Sequence, residues 1–210
     1  MSEYIPADAE KSVSNLLPSE DVIAAYVDLR SCMIAFLREL PEAVAHTMVP
    51  HCPSWTVQET VSHMVGVPDA LLMGDLEGIA SDEWTQRQVE RHRGFSLSAL
   101  ADKWEGQVDQ FQQILLHIPQ PSLSRMVFDV VSHEHDVRHA VGRPGNRESA
   151  AVAVGAAFMK NIIAMRKNLD ISTMENWQIS PFEVLRILGG RRSLEQIETA
   201  GLAVEYVKKV

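Results

Sequence analysis

Three histidines within seven residues, His133, His135 and His139, stand among the carboxylates Asp129, Glu134 and Asp136 in a chain of 210 residues that holds eight histidines. Imidazole nitrogens and carboxylate oxygens are ligands for divalent metals such as zinc, and the same groups form acid–base pairs. On a helix turning 100° per residue, Met126, Val130, Val137 and Val141 share one face, Val127 and Ala140 border it, and His133 falls inside that apolar arc. Asp129 lies one turn before His133 and Asp136 follows three residues later, so the three side chains make one ridge at the edge of the stripe. His135 and His139 project to the opposite face with Phe128 and read as solvent-facing. A polar group buried on a core face costs about 1–3 kcal/mol if left unsatisfied. Two readings meet that demand. One is a hydrogen-bonded His–Asp pair in a helical core; the other is a metal held by Asp129, His133 and a ligand from a facing helix, with one position open. Periodicity leaves both standing. Glu134 and Arg138, at i and i+4 on the other border, form either a helix ion pair or a ligand contact.

The elements that must position these residues read as helices. Ser19 caps a first helix to about Leu40, with a stripe of Ile23, Tyr26, Val27, Cys32, Met33, Phe36 and Leu37. A loop broken by Pro50 and Pro53 leads to Thr56 and Glu59, whose spacing is that of a capping box opening a second helix. Pro68 allows a break or kink before the segment DALLMGDLEGIA. A weaker polar helix covers about Trp84 to Arg93, and Ser96 caps a long helix ended by Pro119 and Pro121. The histidine helix runs from about Ser124 to Val141, stopped by Gly142, Pro144 and Gly145, and another covers about Glu148 to Lys167. Ser180 before Pro181 starts a short helix, and Ser193 with Gln196 makes a second capping box. No alternating run long enough for a strand is evident. The expected architecture is all-α: a bundle of four main helices over residues 1–168, whose first dozen or so residues form a loose arm, and a short helical extension over residues 169–210.

Composition narrows the function classes. Apolar residues form 46% and charged residues 22% of the chain, as in ordinary globular proteins. A net charge of −9 argues against nucleic-acid binding, which needs a concentrated Lys/Arg surface. No apolar run suggests a membrane span or an export signal. Cys32 and Cys52 cannot build a disulfide framework or a thiolate metal site and suit a reducing compartment, so a cytoplasmic location is expected. Cys52, beside prolines, reads as structural, and Trp55 as a hydrophobic staple or core anchor.

Two segments, PHCPSWTVQETVSHMVG and DVVSHEHDVRHAVGRPG, resemble the CPGWTVRDLVAHL-type and histidine-helix segments of the mycothiol-dependent maleylpyruvate isomerase family of the DinB-like superfamily. The ending SPFEVLRILGGRRSLEQI is similar to one found in many members. The resemblance implies a DinB-like four-helix bundle with a metal between the second helix and the histidine helix. It places the metal on His63, Asp129 and His133, of which His63 lies off the Val57, Val61, Met64 face of its own helix. Zinc is the expected metal, with nickel the alternative. Asp136 would be the catalytic carboxylate, orienting a ligand imidazole, and Glu134 with Arg138 would face a bound cofactor. The function implied is a metal-dependent enzyme that uses mycothiol or another low-molecular-weight thiol for isomerisation or thiol transfer on a small electrophilic molecule. A non-catalytic metal-binding or ligand-binding helical bundle is the alternative. The expected partner is a small-molecule substrate, without nucleic acid or membrane, and a homodimer is allowed.

Overall fold

The computed structural model describes residues 16–201; the loose arm expected at the start lies outside them. The expected all-α class holds: among the described residues helices account for nearly all regular structure and the sheet is a single two-stranded hairpin. Among the described residues no helix is long and apolar enough to cross a membrane.

The chain divides into two compact units, and helices α1 (Ser19–Arg38) and α6 (Gln120–Ala140) contribute to both. The first unit comprises Val27–Ile118 and His133–Gly145. After α1 and a 3-10 turn at Glu42–His46, strands β1 (Met48–Val49) and β2 (Cys52–Thr56) pair antiparallel, with Met48 opposite Thr56. Helix α2 (Val57–Leu72) follows without a break, the Val57 amide donating back to the Thr47 carbonyl. Next come α3 (Asp82–Arg91), α4 (Leu97–Gly106) and α5 (Val108–Leu115). Met33, Leu37, Val61, Met64, Leu100, Trp104 and Phe111 are buried in this unit. Its α1 stripe runs through Leu29, Met33, Phe36 and Leu37, whereas Cys32, placed on the stripe from sequence, is exposed.

Three helix boundaries differ from expectation for local reasons. Helix α2 continues through Pro68 to Leu72. The single long helix expected after Ser96 is split at Gln107, where the weak helix former Gly106 precedes a side chain turned inward to donate to Asp69 Oδ1 at 3.1 Å. Helix α6 begins at Gln120 rather than Ser124, and Pro121 sits in its first turn, where a missing N–H leaves no bond unmade.

The second unit holds the start of α1, the Pro119–Ser132 part of α6, and the chain from Asn146 on. Helix α7 (Ala150–Lys167), capped by Ser149, packs against α9 (Pro181–Leu188), with α8 (Ser172–Glu175) and α10 (Leu194–Thr199) beside them. Ala156, Ile163, Met174, Val184, Ile187 and Ile197 form its apolar cluster. Gly155 permits the close α7–α9 approach: a Cβ there would lie 2.9 Å from Leu185 Cδ1. Both expected caps of this region are present, Ser180 accepting from the Glu183 amide and Ser193 forming a full capping box with Gln196.

Candidate metal centre

Helix α2 presents His63 from a fixed start. The Thr56 backbone amide donates to Glu59 Oε2 at 2.9 Å and the Glu59 amide donates to Thr56 Oγ1 at 3.2 Å, closing the expected capping box. Two turns further on, His63 is buried, and so is every residue from Thr60 to Ala70. Its Nδ1 lies 2.8 Å from Oε1 of Gln88, which is 1% exposed on α3.

Helix α6 presents His133 in the same fashion. Ser132 to Val137 are all buried, so over this stretch the helix is covered on every side. His133 meets His63 edge-on, with ring centroids 5.3 Å apart. The hairpin supplies two more groups. Trp55 of β2 tilts against both imidazoles, its ring centroid 5.4 Å from that of His63 and 6.0 Å from that of His133. Cys52 brings Sγ to 3.8 Å from His133 Nδ1 and 3.7 Å from Asp136 Oδ2, and that carboxylate oxygen is 3.6 Å from the same nitrogen. At 3.6 Å the His133–Asp136 approach is electrostatic contact rather than a formed hydrogen bond.

Asp129 is half-buried one turn before His133 on the same unbroken helix, so helical geometry sets its carboxylate beside that imidazole. One ligand atom each from His63, Asp129 and His133 lie within 4.8 Å of one another, and the same holds for Cys52, His133 and Asp136. Two imidazoles and a carboxylate are a donor set suited to zinc, in the three-ligand pattern that leaves a fourth position open. The Gln88 contact also fits, because a metal-binding imidazole commonly hands its other ring N–H to a fixed acceptor.

Residues 28–138, more than half of the chain, match the mycothiol maleylpyruvate isomerase N-terminal domain family. The chain belongs to that family. No curated protein and no solved structure matches it.

All six site positions expected from sequence fall inside the segment matched to the maleylpyruvate isomerase N-terminal domain. The structure brings His63, Asp129 and His133 together and sets Asp136, fully buried, behind His133. Glu134 and Arg138 engage each other: Arg138 Nε donates to Glu134 Oε1 at 2.8 Å, and the guanidinium carbon lies 4.1 Å from the Phe36 ring centroid. His139 is exposed as expected, its Nδ1 3.2 Å from His51 Nε2. His135, expected to face solvent, is instead 5% exposed, because α6 is covered all round there and has no solvent side. Three members of this constellation do not stand out in the sequence. Cys52, set aside as structural, touches both His133 and Asp136. Trp55, expected as a core anchor, tilts against both imidazoles. Gln88 left one faint signal, its place one turn after Trp84 on the buried face of an otherwise polar helix.

Proposed function

We propose that this family member is a metal-dependent enzyme that uses mycothiol or a similar low-molecular-weight thiol for isomerisation or thiol transfer on a small electrophilic substrate. The observation that carries this reading is the convergence of His63, Asp129 and His133 at ligand spacing within a chain of the mycothiol maleylpyruvate isomerase N-terminal domain family. Zinc suits these donors, with nickel the alternative. Bound there, the metal supplies Lewis acidity that lowers a thiol's pKa, and the thiolate is the nucleophilic form.

The protein's own groups do the positioning. His63 and His133 hold their rings at right angles, and the half-buried Trp55 packs its apolar ring against both imidazoles. Asp136 sets a negative charge against the Nδ1 edge of His133, which favours a proton on that nitrogen and a lone pair on the other. Glu134 and Arg138, joined by an i, i+4 bond on α6, lie beside the site.

Elemental analysis of protein purified without added metal, together with His63→Ala and His133→Ala, tests the reading. Near-stoichiometric metal is expected in the wild type and its loss in both variants, with far-UV circular dichroism unchanged. Wild-type protein without metal after growth in metal-replete medium overturns it. For the thiol, mycothiol is titrated into the cobalt-substituted protein: a shift of the visible bands is expected, and an unchanged spectrum removes the thiol from the reaction.

A further inference from the structure

We propose that Gln88 is a positioning residue for His63: it holds the imidazole in the tautomer with Nδ1 protonated and leaves the Nε2 lone pair for a metal. The purpose of this device rests on the metal reading above; the tautomer itself does not.

A carboxamide oxygen only accepts, so with Gln88 turned as it is, Oε1 2.8 Å from His63 Nδ1, the ring donates from Nδ1. In a neutral imidazole the remaining lone pair is then on Nε2, the tautomer being set by the bond that the other nitrogen makes. Water has little access to compete, since Gln88 is 1% exposed and His63 5% exposed. The ring plane is held as well, by Trp55 on one side and His133 edge-on at another. Rotation of His63 to exchange its two nitrogens would break the Gln88 bond inside a closed packing.

The acceptor is itself held in place by how α3 lies on α2. Gly66, one turn after His63, has no side chain, and a Cβ built there would fall 2.5 Å from Gln88 Cβ. Only glycine allows the two helices to approach this closely, so Gly66 sets the depth at which Gln88 enters. The end of α3 is tied down twice: Gln58 Nε2 donates to the His92 carbonyl at 2.9 Å, and His92 Nδ1 lies 2.8 Å from the Gln88 carbonyl. At its start, Trp84 Nε1 donates to the Asp75 carbonyl at 2.8 Å. A buried glutamine between these anchors, on the same face as Trp84, would be an unfavourable choice for packing alone, because its amide must be satisfied. Its oxygen is paired with His63, while its Nε2 is buried without a hydrogen-bond partner among the described residues, so the contact with the imidazole is the one polar bond this side chain makes there.

The test compares Gln88→Leu, Gln88→Glu and Gly66→Ala with the wild type in two measurements. Nitrogen-15 NMR of the histidine rings in metal-free protein reads the His63 tautomer, and competition with a chromophoric chelator reads the zinc affinity. The wild type should show His63 protonated at Nδ1. Gln88→Leu should lose that preference and bind zinc about 10- to 100-fold more weakly, the usual cost of removing an outer-shell partner. Gln88→Glu, which keeps an acceptor, should retain the tautomer and bind zinc within a few-fold of the wild type. Gly66→Ala should move both readouts in the direction of Gln88→Leu without touching the glutamine. A purely structural role for Gln88 would not separate the Leu and Glu variants. The proposal is overturned if wild-type His63 carries its proton on Nε2, or if folded Gln88→Leu keeps the wild-type tautomer and affinity. A wild type that binds neither zinc nor nickel ends the metal reading alone, because the ring spectrum still decides what Gln88 does.

Discussion

The two ends of helix α2 both bury polar side chains, yet they are built on opposite principles. At the C-terminal end, Asp69 is 8% exposed, and donors surround it. Lys103 Nζ at 2.9 Å and Gln107 Nε2 at 3.1 Å donate to its carboxylate oxygens, and Arg91 Nη1 at 3.8 Å and the His92 ring, its Nε2 at 3.5 Å, complete the surround without a formed hydrogen bond. This is a carboxylate satisfied by its own neighbours, and it joins α2 to α3, α4 and the residue between α4 and α5. Toward the N-terminal end, around His63, the groups brought together are lone-pair bearers: two imidazoles and a carboxylate, with a thiol and a second carboxylate behind them. Burial alone therefore does not mark a functional site in this protein. What distinguishes the ends is whether the assembled groups complement one another or share an appetite for the same cation.

The sharpest way to break that comparison is to remove one group from each end. His63→Ala or His133→Ala should abolish metal binding, lowering affinity well beyond the 10- to 100-fold expected of an outer-shell loss. Asp69→Ala should leave metal stoichiometry intact and instead lower folding stability by about 2–3 kcal/mol, the range for losing hydrogen bonds to a charged group with buried partners left behind. Urea denaturation with metal analysis of the same preparations checks both. Loss of metal on removing Asp69, with the fold intact, would show that the two ends are one site.

The contrast also explains what could be read from the sequence. Asp129 and His133 are one turn apart on a single helix, so their proximity follows from spacing alone. Both capping boxes are local in the same sense, each needing only three residues of chain. His63 needed the resemblance, because a helical wheel ranks faces and α2 is buried from Thr60 to Ala70 with no outer face to rank. The same condition on α6 defeats the wheel at His135. Cys52 and Trp55 reach the site on a hairpin whose second strand contains Pro53, a residue that argues against a strand except at an unpaired edge, where a two-stranded ribbon admits it. Gln88 depends on the depth of helix packing that Gly66 permits, a long-range property with no local pattern.

A smaller effect is expected where α2 begins. Thr56→Ala removes the side chain that accepts from the Glu59 amide and should cost about 1 kcal/mol. The change is visible as a lowered urea midpoint. Because the hairpin ends at Thr56, the loss should also loosen Trp55 against His63, seen as a red shift and broadening of tryptophan emission relative to Trp104, which is fully buried elsewhere in the same unit.

The smallest effect separates the ends by pH. Burial is the main influence on His92 and holds its pKa below the usual histidine range. The bond to the Gln88 carbonyl and the charge of Asp69 act to raise it, while Lys103 and Arg91 lower it further. A histidine with a lowered folded pKa favours the neutral form in the native state. Its contribution to stability is therefore fully present above the unfolded value of about 6.5 and is lost as pH falls toward the folded pKa. Comparison of wild type with His92→Gln in metal-free protein, so that metal release does not enter, isolates this term. The urea midpoint of the wild type should fall relative to the variant as pH is lowered from about 7.5 to about 5, and a pH-independent difference would show that protonated His92 is accommodated by Asp69 at no net cost. In that case the Asp69 end would accept a proton as readily as the His63 end accepts a cation, and the distinction between a self-satisfied cluster and a ligand-seeking one would have to rest on the imidazole pair alone.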